Sequence, residues 1–160
     1  MAEYSANAVQ TVQPGQSVVF TTTTIPCNRG LIIPRLDAGS FLLKGWLPAF
    51  MNRQSCCCCG SETKFADYFV DFGANIGVPT GETPGEISLT ITQNGAPVTG
   101  STMIQTPTVV ETLFNVSRAI SVPVPCGCCQ SVTIQNTSTI PILVQNANLV
   151  ISRPDLTMSY

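Results

Sequence analysis

Histidine is absent from this chain of 160 residues, and charge is scarce. Two lysines (Lys44 and Lys64) and five arginines stand against nine acids, for a net charge of −2. Charged residues make up 10% of the sequence, where an average globular protein has about 25%. Without histidine, neither a Ser-His-Asp nor a Cys-His mechanism can be built, and every histidine-ligated metal site is excluded. The scattered arginines form no basic patch, which argues against nucleic acid as a partner. Long apolar runs are missing too. A membrane helix needs roughly 18 apolar residues, and the most apolar stretch, Phe41 to Met51, is broken by Lys44, Gly45 and Pro48. The N-terminus, Met-Ala-Glu-Tyr-Ser, has neither the basic nor the apolar region of a secretory signal. The expectation is synthesis in a cytoplasm and no membrane insertion, any outside location being reached by lysis, packaging or a non-classical route.

The missing charge is replaced by Thr, Ser, Asn and Gln, and 44% hydrophobic residues are too many for an unfolded chain. Length points to one domain. Residues 15–160 would form it. Residues 1–14 are polar, alternate weakly and end at Pro14-Gly15, so they read as an edge strand or as an arm docking on a neighbour.

Periodicity is that of strands almost throughout. Ser17–Ile25 is β-branched and follows a Pro-Gly turn. Over 65–72, Ala66, Tyr68, Val70 and Phe72 share one face, and Phe65, Asp67, Phe69 and Asp71 the other. Ile87, Leu89 and Ile91 alternate inward before Asn94-Gly95, the sequence of a tight hairpin turn. Between Val110 and Val124 the even positions are mostly apolar, and 131–135 is expected to pair with a last strand near 142–152. No window carries a helical stripe. About ten short antiparallel strands with frequent turn signals predict an all-β sandwich or barrel. The strand at 65–72 has aromatics on both faces, so Phe65 and Phe69 need a covering loop or a subunit interface. They are the interface candidates.

Eight cysteines fall in three places: Cys27; Cys56, Cys57, Cys58 and Cys59; and Cys126, Cys128 and Cys129. Four consecutive cysteines cannot all bind one metal, because neighbouring side chains in extended chain point opposite ways. Cys56 with Cys59, and Cys126 with Cys129, do have the spacing of a tetrahedral thiolate site. A disulfide network, formed after release from the cytoplasm and within or between subunits, is favoured over that metal site. Reduced thiols are the third. A catalytic cysteine would lack a histidine to activate it. Asp67 and Asp71 are four residues apart on one strand face, roughly 13 Å, too far for a glycosidase pair. The glycine-punctuated turns at 73–77 and 81–85 lack the Lys-Ser/Thr of a phosphate loop. Asn115-Val-Ser117 and Asn136-Thr-Ser138 fit the N-glycosylation pattern. No catalytic constellation and no cofactor site emerge.

Residues 87–103, Ile-Ser-Leu-Thr-Ile-Thr-Gln-Asn-Gly-Ala-Pro-Val-Thr-Gly-Ser-Thr-Met, resemble the strand–Asn-Gly–strand hairpin of tumour-necrosis-factor-like jelly rolls. They are similar in particular to the C-terminal domains of bacterial collagen-like exosporium glycoproteins. Residues 131–139 look like the penultimate strand and turn of those domains, and 144–153 like their closing strand. Asn7–Val12 and Gly127-Cys-Cys129 also resemble short cysteine-containing proteins of gut Firmicutes and their prophages. The resemblance implies a jelly-roll β-sandwich and a homotrimer packed about a three-fold axis. This chain departs from the exosporium proteins in having no Gly-X-Y stalk.

Together these readings lead to a non-enzymatic structural protein made in a bacterial cytoplasm. Its trimers would build a spore or virion surface, held by an anchoring protein and stapled through the eight cysteines. Two alternatives stand beside it: a trimeric module binding a ligand or receptor, and a metalloprotein ligated by cysteine.

Overall fold

The structure, a computed structural model, describes residues 1–27, 30–46 and 65–154. Twelve strands follow in chain order: β1 (Ala2–Ala6), β2 (Gln10–Val12), β3 (Thr22–Ile25), β4 (Ile32–Arg35), β5 (Ser40–Lys44), β6 (Phe65–Gly77), β7 (Ile87–Gln93), β8 (Ala96–Pro97), β9 (Met103–Gln105), β10 (Phe114–Pro125), β11 (Cys129–Asn136) and β12 (Ile142–Ser152). They form two antiparallel six-stranded sheets. Sheet I runs β10-β6-β12-β1-β3, with β2 also on β12. Sheet II runs β4-β5-β11-β7-β8, with β9 also on β7.

The two-residue alternation read from the sequence places the core between the sheets. From sheet I come Tyr4, Tyr68, Phe72 and Leu149, and from sheet II Phe41 and Ile91, each no more than 1% exposed. Phe41 is the hub. Its ring lies 4.6 Å from that of Tyr4 and 5.4 Å from that of Phe20. Ile87, Leu89 and Ile91 are fully buried as expected, and Asn94-Gly95 turns the chain with φ of 51° and 80°.

Three local arrangements depart from the periodicity. The Ser17–Ile25 run is split because it changes sheets. Ser17 bridges to Gln135 of sheet II, whereas Thr22 and Thr23 pair with β1 of sheet I. At the crossing, the Gln10 side chain takes the place of a neighbouring strand: its amide nitrogen donates to the Val19 carbonyl at 2.9 Å, and its oxygen accepts from the Val19 N–H at 3.0 Å. Second, β11 does not pair with β12; the two lie in opposite sheets. Asn136, 1% exposed, re-aims the chain by donating to the carbonyls of Val12 and Ile140 and accepting from the Ser138 N–H. Third, residues 1–14 run through sheet I. β1 lies between β12 and β3, and β2 flanks the other half of β12 beyond a register shift at Gln145/Asn148. Asn146, inside that shift, has φ of 52°, a conformation asparagine tolerates better than most residues.

Threonine explains how a strand with little charge satisfies its outer face. Thr90 and Thr92 are each 1% exposed. The Thr90 hydroxyl bonds those of Thr102 (3.1 Å) and Thr137 (3.0 Å), and the Thr92 hydroxyl bonds that of Thr133 at 2.6 Å.

Tyr4 is the exception to this economy. Its hydroxyl is buried without a hydrogen-bond partner among the described residues. Burial, and secondarily the nearby Cys27 thiol, pushes its pKa up to about 12. The folded state therefore holds this proton where the unfolded chain, with an ordinary value near 10, releases it. Stability should hold below pH about 10 and fall as pH rises toward about 12, at up to about 1.4 kcal/mol per pH unit. Tyr4→Phe should flatten this decline without lowering stability at neutral pH, since it removes an unpaired buried hydroxyl. Denaturant titrations of both proteins across that range check it, and parallel alkaline declines would contradict it.

Candidate interaction surface

The outer face of sheet I is assembled from the residues that alternate with the core. On β6 these are Phe65, Asp67, Phe69 and Asp71, all exposed. The residues beside Phe69 are small: Ser121 on β10 and Ser152 on β12. Asp71 lies between Ala119 and Val150. Phe65 and Phe69 thus stand 47% and 48% exposed among short-chained neighbours. Both sequence-predicted interface positions share this face, and no described loop buries them. Further across, Glu3 on β1 projects from the same face and accepts from the Asn148 amide at 2.8 Å. The described strands bring no lysine or arginine to it. Among the described residues the face is apolar at one end and acidic through its middle.

The described cysteines lie toward one end of the sandwich. Cys27 follows β3 and packs, half-buried, against the core. Cys126, Cys128 and Cys129 lie in and just after the turn that ends β10. There the Cys128 N–H donates to the Pro125 carbonyl at 3.0 Å, and Gly127 supplies φ of 78°. Gly45 locks onto this turn: its N–H donates to the Cys128 carbonyl at 2.8 Å, and its carbonyl accepts from the Gly127 N–H at 3.2 Å. Cys129 pairs with Lys44 across the strands, and Pro125 with Phe65. The two ends of the described chain nearest Cys56–Cys59 therefore both touch the 125–129 turn. Cys56, Cys57, Cys58 and Cys59 themselves lie outside the described residues. Cys128 and Cys129 are exposed thiols, Cys27 is a thiol, and Cys126 is disulfide-bonded. Among the described residues no group of three or more His, Cys, Asp or Glu could hold a metal.

The same end carries a staple between the sheets. The Tyr68 hydroxyl donates to the Lys44 carbonyl at 2.6 Å. Arg153, 4% exposed, donates to the Trp46 carbonyl and places its guanidinium 5.4 Å from the Tyr68 ring centre. Neither role was legible from the sequence, where Arg153 is simply the last residue of an apolar alternation.

A concavity opens along the side of the sandwich. The edge strands β9 and β10 leave between them a cleft of about 270 Å³, with Met103 and Val116 buried at its base. Ile104, 53% exposed, and Arg118 line it. Arg118 interrupts the apolar even positions of β10. Its Nε donates to the Gly100 carbonyl at 2.9 Å, and its two terminal nitrogens have no hydrogen-bond partner among the described residues. Of the two glycosylation patterns, that at Asn136 is closed, because the buried amide gives both hydrogens to backbone carbonyls.

No protein-family model and no curated protein matches this chain. Among solved structures, the globular domain of zebrafish complement 1qA protein is similar at 13% identity and a TM-score of 0.52, over 93% of this chain and 94% of that one. The C-terminal domain of EclA, described as a sugar-binding protein, has 8% identity and a TM-score of 0.40 over 92% and 79%. A family 35 carbohydrate binding module from Clostridium thermocellum has 12% identity and a TM-score of 0.34 over 92% and 90%. The first likeness is one of fold: the chain is a jelly-roll β-sandwich of the kind seen in that complement domain.

Proposed function

We propose that this chain is a non-enzymatic structural protein whose jelly rolls associate as homotrimers through the outer face of sheet I. In this reading the trimers are building blocks of a spore or phage surface, joined to an anchoring protein and stapled between subunits by exposed thiols such as Cys128 and Cys129. The observation that carries it is the pair Phe65 and Phe69, half-exposed on a face of serine, alanine and proline. Covering the exposed half of one such ring removes roughly 100 Å² of apolar surface, worth about 2.5 kcal/mol. A chain with 10% charged residues has little repulsion to oppose self-association.

A second reading, a trimeric ligand-binding module, draws on the cleft beside Arg118. It predicts discrete trimers that never assemble further and that hold a soluble ligand. Sedimentation velocity in reductant tests the common element. A species of three times the 17.0 kDa chain mass is expected, and a monomer at every concentration would contradict it.

A further inference from the structure

The cleft between β9 and β10 is a gap between two sheet edges. Among the described residues β9 pairs only with β7, and β10 only with β6. Along 103–105 and 115–118 no backbone group bonds outside those two ladders among the described residues. The facing sides of the strands therefore offer backbone N–H and C=O groups that no ladder satisfies. The Cα atoms of the two strands come within 8 Å of each other in places. A peptide strand laid between them would need roughly 9.6 Å, one ladder spacing on each side. The gap is too narrow for that. Its volume of about 270 Å³ lies just under the roughly 300–1,000 Å³ of pockets for drug-sized molecules, which suits a single small ring.

Side chains add direction to this site. Alternation sets Met103 and Gln105 on one face of β9, and Val116 and Arg118 on one face of β10. Met103 and Val116 are the buried apolar base. The Gln105 carboxamide makes no hydrogen bond among the described residues. Arg118, tethered from Nε to the Gly100 carbonyl at 2.9 Å, keeps both terminal nitrogens for a ligand. No acidic residue lines the cleft.

We infer that this cleft binds an acidic monosaccharide, with the acid group on Arg118 and the hydroxyls on Gln105 and the strand edges. A tethered guanidinium takes an oxyanion, carboxylate or phosphate, through paired N–H donors. Hydroxyls both donate and accept, so they match a mixed set of N–H, C=O and amide groups. An apolar acid would leave those groups unpaired on desolvation. This rests on the ligand-binding reading above in taking the cleft as the site, and it names the class of ligand.

The test is an NMR titration of the full ¹⁵N-labelled chain with D-glucuronate, D-glucose 6-phosphate, D-glucose and acetate. One of the two acidic sugars should shift the amides of 102–105 and 115–118 with a dissociation constant of about 1 mM or tighter. The tighter of the two identifies the acid group. Glucose and acetate should bind about tenfold more weakly or worse, since each lacks half of the recognised groups. Arg118→Gln should weaken the acidic sugar about tenfold or more. Gln105→Leu should weaken it several-fold and leave acetate unchanged, a difference that a folding defect would not produce. If glucose or acetate binds as tightly as either acidic sugar, the ligand class is wrong and the cleft remains a binding site. If none of the four shifts these amides, or Arg118→Gln binds like wild type, the assignment is overturned. Sedimentation of the same samples keeps the trimer question separate. A monomer that binds the sugar removes the trimer and leaves the site, and a trimer that does not bind removes the site and leaves the trimer.

Discussion

Phe69→Asp should convert the protein to monomers while leaving the domain folded. The ring is 48% exposed on an outward position of β6, so the core alternation of Ala66, Tyr68, Val70 and Phe72 is untouched. The substitution removes about 2.5 kcal/mol of buried apolar area at the contact. It also adds a third carboxylate between Asp67 and Asp71, which must be desolvated on association. Together these amount to roughly 4 kcal/mol, about a thousandfold in the dissociation constant. Circular dichroism should report an unchanged β-sheet spectrum, and light scattering the mass of one chain. Intact trimers would mean that this face is not the interface. A folded wild-type monomer would remove the question.

A large effect on stability is expected from Gly45→Ala. A methyl group at this position would lie 2.0 Å from the Pro125 carbonyl oxygen and 2.8 Å from its carbon. Both are backbone atoms, held there by the turn that Gly45 itself bonds through Cys128 and Gly127. Neither can swing away as a side-chain end could. The substitution should break two hydrogen bonds and part β5 from the 125–129 turn, costing about 3 kcal/mol or more and lowering the melting midpoint by roughly 10 °C. Gly85→Ala is the control, since an added methyl there meets only one atom within 4 Å, at 3.9 Å. Equal midpoints for the two variants would show that the close approach of Gly45 to Pro125 does not exist in solution. Because the same contact carries Cys128 and Cys129, Gly45→Ala should also change the rate at which those thiols react with a labelling reagent.

The fold was legible wherever a strand has one wet face. The alternation over 65–72 and 87–91 predicted the core-facing residues, and Asn94-Gly95 placed its turn, but nothing in it showed that Thr90 and Thr92 on the other face of β7 are buried too. The strand order was not legible. Alternation tells which face of a strand is buried, and says nothing of which sheet the strand joins. The 131–135 and 142–152 segments therefore read as a hairpin, although Asn136 sends them to opposite sheets. The Ser17–Ile25 run likewise read as one strand, because the crossing at Val19 is satisfied by a side chain, Gln10, nine residues away. Phe65 and Phe69 could be singled out because an aromatic on the wet face of a strand is conspicuous in the sequence. Arg118 could have been: it is the one charged residue in the apolar series of β10. What it adjoins depends on β9, which no local pattern brings near. The position of the 125–129 turn and its cysteines depends on register as well, through the pairs Lys44 with Cys129 and Phe65 with Pro125.

Hydroxyl-radical footprinting of wild-type protein over a range of concentrations, in reductant, tests the self-associating face most directly. Phe72, buried in the core, serves as the internal protected standard. The account predicts that oxidation of Phe69 falls toward that of Phe72 as the trimer forms, and that Phe65 becomes protected with it. Oxidation of both rings at a constant, high rate, at concentrations where the protein sediments as an oligomer, would contradict it and place the interface elsewhere.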